Sequence, residues 1–102
     1  MKDNFLVLKQ LSEIIKKNRN LNTKSSYTAT LFSKGKVKIA NKFGEESIET
    51  VTAFLAQDKK DIKEEVADLL YHLLVLLEYS DIPLQKVLKV LEKRMEKEKN
   101  ID

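Results

Sequence analysis

The 102-residue sequence has no cysteine, one histidine, one proline and two glycines. Without cysteine there is no disulfide framework, no thiolate metal site and no cysteine nucleophile, and the chain suits a reducing cytosol. One histidine and no cysteine also argue against zinc, whose sites are built from those donors. So few glycines and prolines leave little material for turns, which favours a few long helices. No long apolar run is present. The longest, Leu69 to Leu77, is interrupted by His72 and closed by Asp68 and Glu78, far short of the ~20 residues a membrane span requires. The opening Met1-Lys2-Asp3-Asn4 leads into charges at Lys9 and Glu13 instead of a signal-peptide core. A cytoplasmic location with no membrane partner is expected.

The length supports one domain and not two, with a modest core that oligomerisation would enlarge. The expected organisation is a single domain over residues 1–102, with a core at about 5–94 and a charged, frayed tail at 96–102. Apolar residues make up 42% and charged residues 34%, a balance that fits a folded globular chain and not a disordered one. The net charge of +3 fits a phosphate-bearing ligand and equally fits ordinary solubility. Arg19 and Arg94 are the only arginines, and the seven aromatics are scattered. Nucleic-acid binders show a denser basic stripe or a stacking platform, so no nucleic-acid partner is expected.

Hydrophobic periodicity marks four main segments. Phe5, Leu8, Leu11 and Ile15 define one face of a helix over about 4–17, followed by a polar loop from Asn18 to Ser26. A short helical turn through Tyr27–Phe32 leads past Gly35 into a long helix ending near Gln57. Its expected buried stripe is Val37, Ala40, Phe43, Ser47, Val51 and Phe54 with Leu55. Gly44 inside that helix is either tolerated, at a cost of about 1 kcal/mol, or needed for close approach of another group. Asp61-Ile62-Lys63-Glu64 resembles a capping box and opens a helix to about Tyr79, with Ile62, Val66, Leu69, Leu70, Leu73, Leu76 and Leu77 facing the core. Pro83 suits the first position of a last helix, which carries Leu84, Val87, Leu88, Leu91 and Met95. The predicted fold is all-α: an antiparallel bundle of four to five helices, completed by dimerisation.

Two acidic pairs stand out on consecutive helices. Glu46 and Glu49 are spaced i, i+3, as are Glu65 and Asp68, so each pair shares one helix side. A short connection makes the helices antiparallel and lets four carboxylates converge. Converging carboxylates repel and resist desolvation unless a cation neutralises them, and an oxygen-only donor set suits Mg²⁺, with Mn²⁺ as a substitute. Such pairs are also common on solvated faces; here they adjoin apolar stripes. Glu45 is rotated ~100° from Glu46 and fits a supporting place better than direct ligation. His72, four residues after Asp68, either contacts substrate, orients a carboxylate, or is a hydrogen-bonded core residue. Lys34, Lys38 and Lys42 recur every fourth residue and lead into the acidic site. They could grip phosphates or form a solvated face with a Lys42–Glu46 pair.

Longer blocks make the pattern specific. Ser26-Tyr27-Thr28-Ala29-Thr30-Leu31-Phe32-Ser33-Lys34-Gly35, then Lys38-Ile39-Ala40, Lys42, Gly44-Glu45-Glu46 and Glu49, and finally Glu65-Val66-Ala67-Asp68-Leu69-Leu70-Tyr71-His72 through Leu77, resemble the phosphoribosyl-ATP pyrophosphohydrolases of histidine biosynthesis. The resemblance runs from about Phe5 to Arg94; Asn41 and Phe43 depart from the pattern without touching a ligand position. The looser acidic pattern is shared with MazG-like proteins and dimeric dUTPases. The resemblance implies hydrolysis of 1-(5-phosphoribosyl)-ATP to phosphoribosyl-AMP and pyrophosphate, Mg²⁺ dependence, a homodimer and the form not fused to a cyclohydrolase. It places Glu45, Glu46, Glu49, Glu65 and Asp68 at metal positions, with Lys34, Lys38 and Lys42 as phosphate contacts.

In the mechanism expected from these residue types, Glu46, Glu49, Glu65 and Asp68 hold Mg²⁺ against substrate phosphates. Water attacks phosphorus directly, with Glu45 or Glu49 as base, since no side chain is an obvious covalent nucleophile. The 25–34 segment closes over the ribosyl phosphate. Two alternatives remain at this level: a house-cleaning (d)NTP pyrophosphatase with the same site, or a non-catalytic helical dimerisation or nucleic-acid-binding module whose acidic pairs face solvent.

Overall fold

In the computed structural model, residues 4–99 are described, and they form five helices: α1 (Val7–Asn18), α2 (Tyr27–Lys34), α3 (Lys36–Ala56), α4 (Lys59–Tyr79) and α5 (Leu84–Lys99). The all-α prediction holds, with no strand among the described residues. The ends of the helices follow from local chemistry. Ser26 caps α2 through a 3.1 Å bond accepted from the Ala29 amide. Gly35, at φ 92°, makes the break between α2 and α3 in a backbone region that disfavours side chains. Asp58 caps α4 by accepting from the Asp61 amide at 3.0 Å. The predicted cap at Asp61 is therefore three residues late, because Asp58 supplies the oxygen and Asp61 sits inside the first turn. Pro83 lies just before α5 and not at its first position.

The core is built from α1, α2, α3 and α4: Ile15, Leu31, Ile39, Leu74, Val75 and Leu77 form one buried cluster. Leu11, Phe32, Tyr71, Tyr79, Leu84 and Val87 pack around it. Arg19 ties the α1–α2 loop to this cluster, donating to the Glu78 carboxylate at 2.6 Å while its guanidinium covers the Phe32 ring at 4.7 Å. Leu8 and Phe5, predicted to extend the buried face of α1, are exposed instead. Gly44 has open space where a Cβ would stand, so nothing in this chain requires glycine there. The predicted fraying from Glu96 is not seen, since α5 continues to Lys99. Residues 100–102 of that predicted tail lie outside the described residues.

The largest difference concerns α3. Its buried positions are Ile39, Glu46 and Ala53, the face turned to α4. Of the predicted stripe, Phe43 and Ser47 are half-buried, whereas Val37, Ala40, Val51, Phe54 and Leu55 are exposed, as is Ile48 outside it. At 100° per residue, Val37, Gly44, Ile48, Val51 and Leu55 fall on one side of the helix. α5 has no buried residue and exposes Leu88, Val90, Leu91 and Met95. The radius of gyration is 15.7 Å, against ~13 Å for a compact chain of this length. The accessible surface is 8291 Å², well above the ~5,900 Å² expected of a compact monomer of this mass. No helix among the described residues is long and apolar enough to cross a membrane.

Candidate metal centre

The α3–α4 seam carries the acidic side chains. Asp58 turns the chain sharply between the two helices, so Glu46 and Glu49 on α3 come to face Glu65 on α4. One carboxylate oxygen from each of Glu46, Glu49 and Glu65 lies within 4.8 Å of the others. Thr50 stitches the seam beside them. Its hydroxyl, one turn after Glu46, is 2.8 Å from the Glu46 carbonyl and 3.3 Å from the Glu65 carbonyl. Sequence reasoning missed Thr50, because its role appears only once the two helices are in register.

Glu46 is buried, Glu65 half-buried and Glu49 exposed, so the triad grades from seam to solvent. Glu46 Oε2 and Glu65 Oε2 are both buried and have no hydrogen-bond partner. Burial, followed by the adjoining Glu49 carboxylate and the charge of Asp68, pushes the Glu46 carboxyl up to about 7. Lys42 opposes that rise. Burial and the charges of Glu49 and Asp68 raise Glu65 in the same direction. A buried carboxylate without a donor is costly, and here two are aimed at a shared space. The arrangement fits a hard divalent cation, which accepts several carboxylate oxygens and removes their mutual repulsion.

Asp68 is exposed and outside the close triad, although its charge reaches Glu46 and Glu65. Glu45 is also exposed and turned to Lys42, which it meets at 3.1 Å. The predicted Lys42–Glu46 pair is therefore replaced by Lys42–Glu45, with Glu46 drawn into the seam. Lys34 ends α2 and Lys38 lies in the first turns of α3; both are exposed, and no described ion pair involves them. His72 is buried and uses both ring nitrogens: Nδ1 is 2.8 Å from the Asp68 carbonyl and Nε2 is 3.2 Å from the Tyr27 hydroxyl. A carbonyl only accepts, so Nδ1 carries a proton and donates to Asp68, while Nε2 shares a hydrogen bond with the Tyr27 hydroxyl. Of the readings open for His72, the hydrogen-bonded core residue matches this geometry. The Tyr27 partnership was missed, because nothing in the sequence relates α2 to a site 45 residues further on.

Comparison with known proteins adds an independent line. Residues 8–95 match the family model described as phosphoribosyl-ATP pyrophosphohydrolase. A phosphoribosyl-ATP pyrophosphatase of Agrobacterium fabrum is 46% identical over 87 residues, covering 85% of this chain and 81% of the relative. Another of that name, from Pyrobaculum arsenaticum, is 46% identical over 88 residues, covering 86% and 94%. A histidine biosynthesis bifunctional protein of Pyrococcus furiosus is 50% identical over 88 residues, which are 86% of this chain. The chain spans 41% of that relative's length, and 43% of a bifunctional relative in Thermotoga maritima.

Proposed function

The chain belongs to the phosphoribosyl-ATP pyrophosphohydrolase family, and on that premise we propose that it hydrolyses 1-(5-phosphoribosyl)-ATP. Water cleaves the bond between the α- and β-phosphates, giving phosphoribosyl-AMP and pyrophosphate in histidine biosynthesis, in a cytoplasmic setting. The observation that carries the site is the convergence of Glu46, Glu49 and Glu65 with two buried, partnerless oxygens.

Those three carboxylates would hold Mg²⁺ (or Mn²⁺), with Asp68 one turn beyond Glu65 completing the donor set. Such a cation supplies Lewis-acid stabilisation of charge growing on phosphate oxygens. The remaining work belongs to the protein. Glu49 is the most accessible carboxylate of the triad and fits the base that takes the proton of the attacking water. Glu45, held by Lys42, is a weaker candidate. Lys42 stands at the edge of the acidic site, where release from Glu45 would let its ammonium meet a phosphate. Lys34 and Lys38 would act further out along the polyphosphate or the ribosyl phosphate.

The same proposal includes a homodimer. The apolar side of α3 (Val37, Ile48, Val51, Leu55) and the bare α5 leave roughly 2,400 Å² more surface than a compact monomer of this mass should have. A stable homodimer interface commonly buries ~2,000–5,000 Å² in total, ~1,000–2,500 Å² from each chain, so the excess is of the right order.

The test is pyrophosphate release from phosphoribosyl-ATP beside a panel of dNTPs, with Mg²⁺ present and with chelator. Strong preference for phosphoribosyl-ATP, lost with chelator, is the expected result. Preference for a dNTP would make the chain a house-cleaning pyrophosphatase, and no release from any substrate would leave a non-catalytic module.

A further inference from the structure

Discriminating against ATP is a severe demand on this site. ATP and phosphoribosyl-ATP carry the same triphosphate, so the groups that hold the triphosphate cannot tell them apart. They differ at the base: a phosphoribosyl group on adenine N1 adds a phosphate and turns the ring into a more basic amidine, which is positively charged near neutral pH. Discrimination therefore falls on groups that meet the added phosphate and on groups that face the ring.

One side chain beside the acidic seam has the properties needed. Tyr27 opens α2 and is 52% exposed, although its side chain is held by Tyr71 and His72. Its hydroxyl is tethered to His72 Nε2 at 3.2 Å, and His72 is in turn anchored on the Asp68 carbonyl at 2.8 Å. Tyr71 stacks against it at 6.1 Å and 29°, and the His72 ring meets it edge-on at 6.0 Å and 79°. Tyr71 is itself fixed by a hydrogen bond to Thr28. Lys42, beside the carboxylates, lies within electrostatic reach of the Tyr27 hydroxyl. Its hydroxyl is thus tied to α4 through His72, one turn after Asp68, and lies within electrostatic reach of Lys42 on α3.

A rigid aromatic with one open face costs little ordering entropy when a base stacks on it. An aromatic face attracts a ring that carries positive charge more strongly than a neutral one.

We propose that Tyr27 is the platform on which the substrate's adenine stacks, and that it selects N1-alkylated, positively charged adenine over the neutral adenine of ATP. This rests on phosphoribosyl-ATP being the substrate. The probes are 1-methyl-AMP and AMP, which differ only by alkylation at N1. Their binding to the full chain in Mg²⁺ buffer is measured by calorimetry for wild type, Tyr27→Phe and Tyr27→Leu. Wild type should prefer 1-methyl-AMP by about fivefold or more. Tyr27→Leu should bind it roughly tenfold more weakly and lose the preference. Tyr27→Phe keeps the ring and should retain most of the preference, with helicity by circular dichroism unchanged in both.

Equal binding of the two probes by wild type overturns the proposal. So does a preference that survives in Tyr27→Leu, including the case where only the oligomeric state changes. Turnover is followed separately: wild type that shows the preference yet releases no pyrophosphate from phosphoribosyl-ATP sinks the substrate assignment.

Discussion

Replacing Glu46 by glutamine should stabilise the metal-free protein while weakening its hold on metal. Glu46 is buried at the α3–α4 seam with one oxygen lacking any partner, and its carboxyl is raised from 4.5 to about 7. An acid whose folded pKa is raised keeps its proton in the folded chain after the unfolded chain has lost it. Stability therefore falls as pH climbs from about 4.5 to about 7 and stays low above. The full shift corresponds to ~3 kcal/mol at 1.36 kcal/mol per pH unit. Glu46 shares its repulsion with Glu49, so a single amide should recover about 1–3 kcal/mol, several degrees in Tm for a domain this size. The assay is thermal unfolding by circular dichroism at fixed protein concentration, at pH 4.5 and pH 8, with chelator or with Mg²⁺. In chelator at pH 8 the Glu46→Gln protein should melt higher than wild type, and most of the gain should vanish at pH 4.5. With saturating Mg²⁺ the ranking should narrow or reverse, because only wild type offers the full donor set. A variant no more stable than wild type in chelator at pH 8, or a gain equally large at pH 4.5, would refute the reasoning.

Glu49→Gln and Asp68→Asn should each lower pyrophosphate release by more than about a hundredfold with helicity intact; activity retained in both would remove them from the site. Val51→Lys places a charge in the exposed apolar side of α3 and should convert a dimer to monomer in sedimentation velocity. An unchanged sedimentation coefficient would move the interface elsewhere. Asp58→Ala should destabilise the chain by about 1 kcal/mol through loss of the α4 cap, whereas Asp61→Ala should cost clearly less, in urea unfolding.

The two acidic pairs were legible from spacing alone, because i, i+3 periodicity and a two-residue connection leave α3 and α4 few ways to pack. Which carboxylates would meet was not. Asp68 is as well spaced as Glu49, yet it stays outside the close triad and reaches it only through its charge. Thr50 and Tyr27 were invisible for the same reason: their partners, the Glu65 carbonyl and His72, are set by helix register and by the path of the 19–26 loop. Neither leaves a periodic trace.

The misread face of α3 has the most to teach about how this sequence works. Hydrophobic periodicity selects a stripe through Val37, Ala40, Phe43, Ser47, Val51, Phe54 and Leu55, of which only Phe43 and Ser47 are half-buried. The chain buries a different side, where a carboxylate, Glu46, sits between Ile39 and Ala53. That choice is unfavourable for a monomer twice over: it desolvates an acid and leaves an apolar stripe in water. The proposed divalent cation at the seam and second copy on the stripe would relieve both costs. Binding to the folded state alone adds to its stability, so metal and partner should stabilise the same architecture from the two sides of one helix. Helix α3 would then couple the two events. Prying the dimer apart with Val51→Lys should leave metal affinity largely intact if the seam is held by Thr50 and the α4 cap, and should lower it if α3 needs its partner to stay in register.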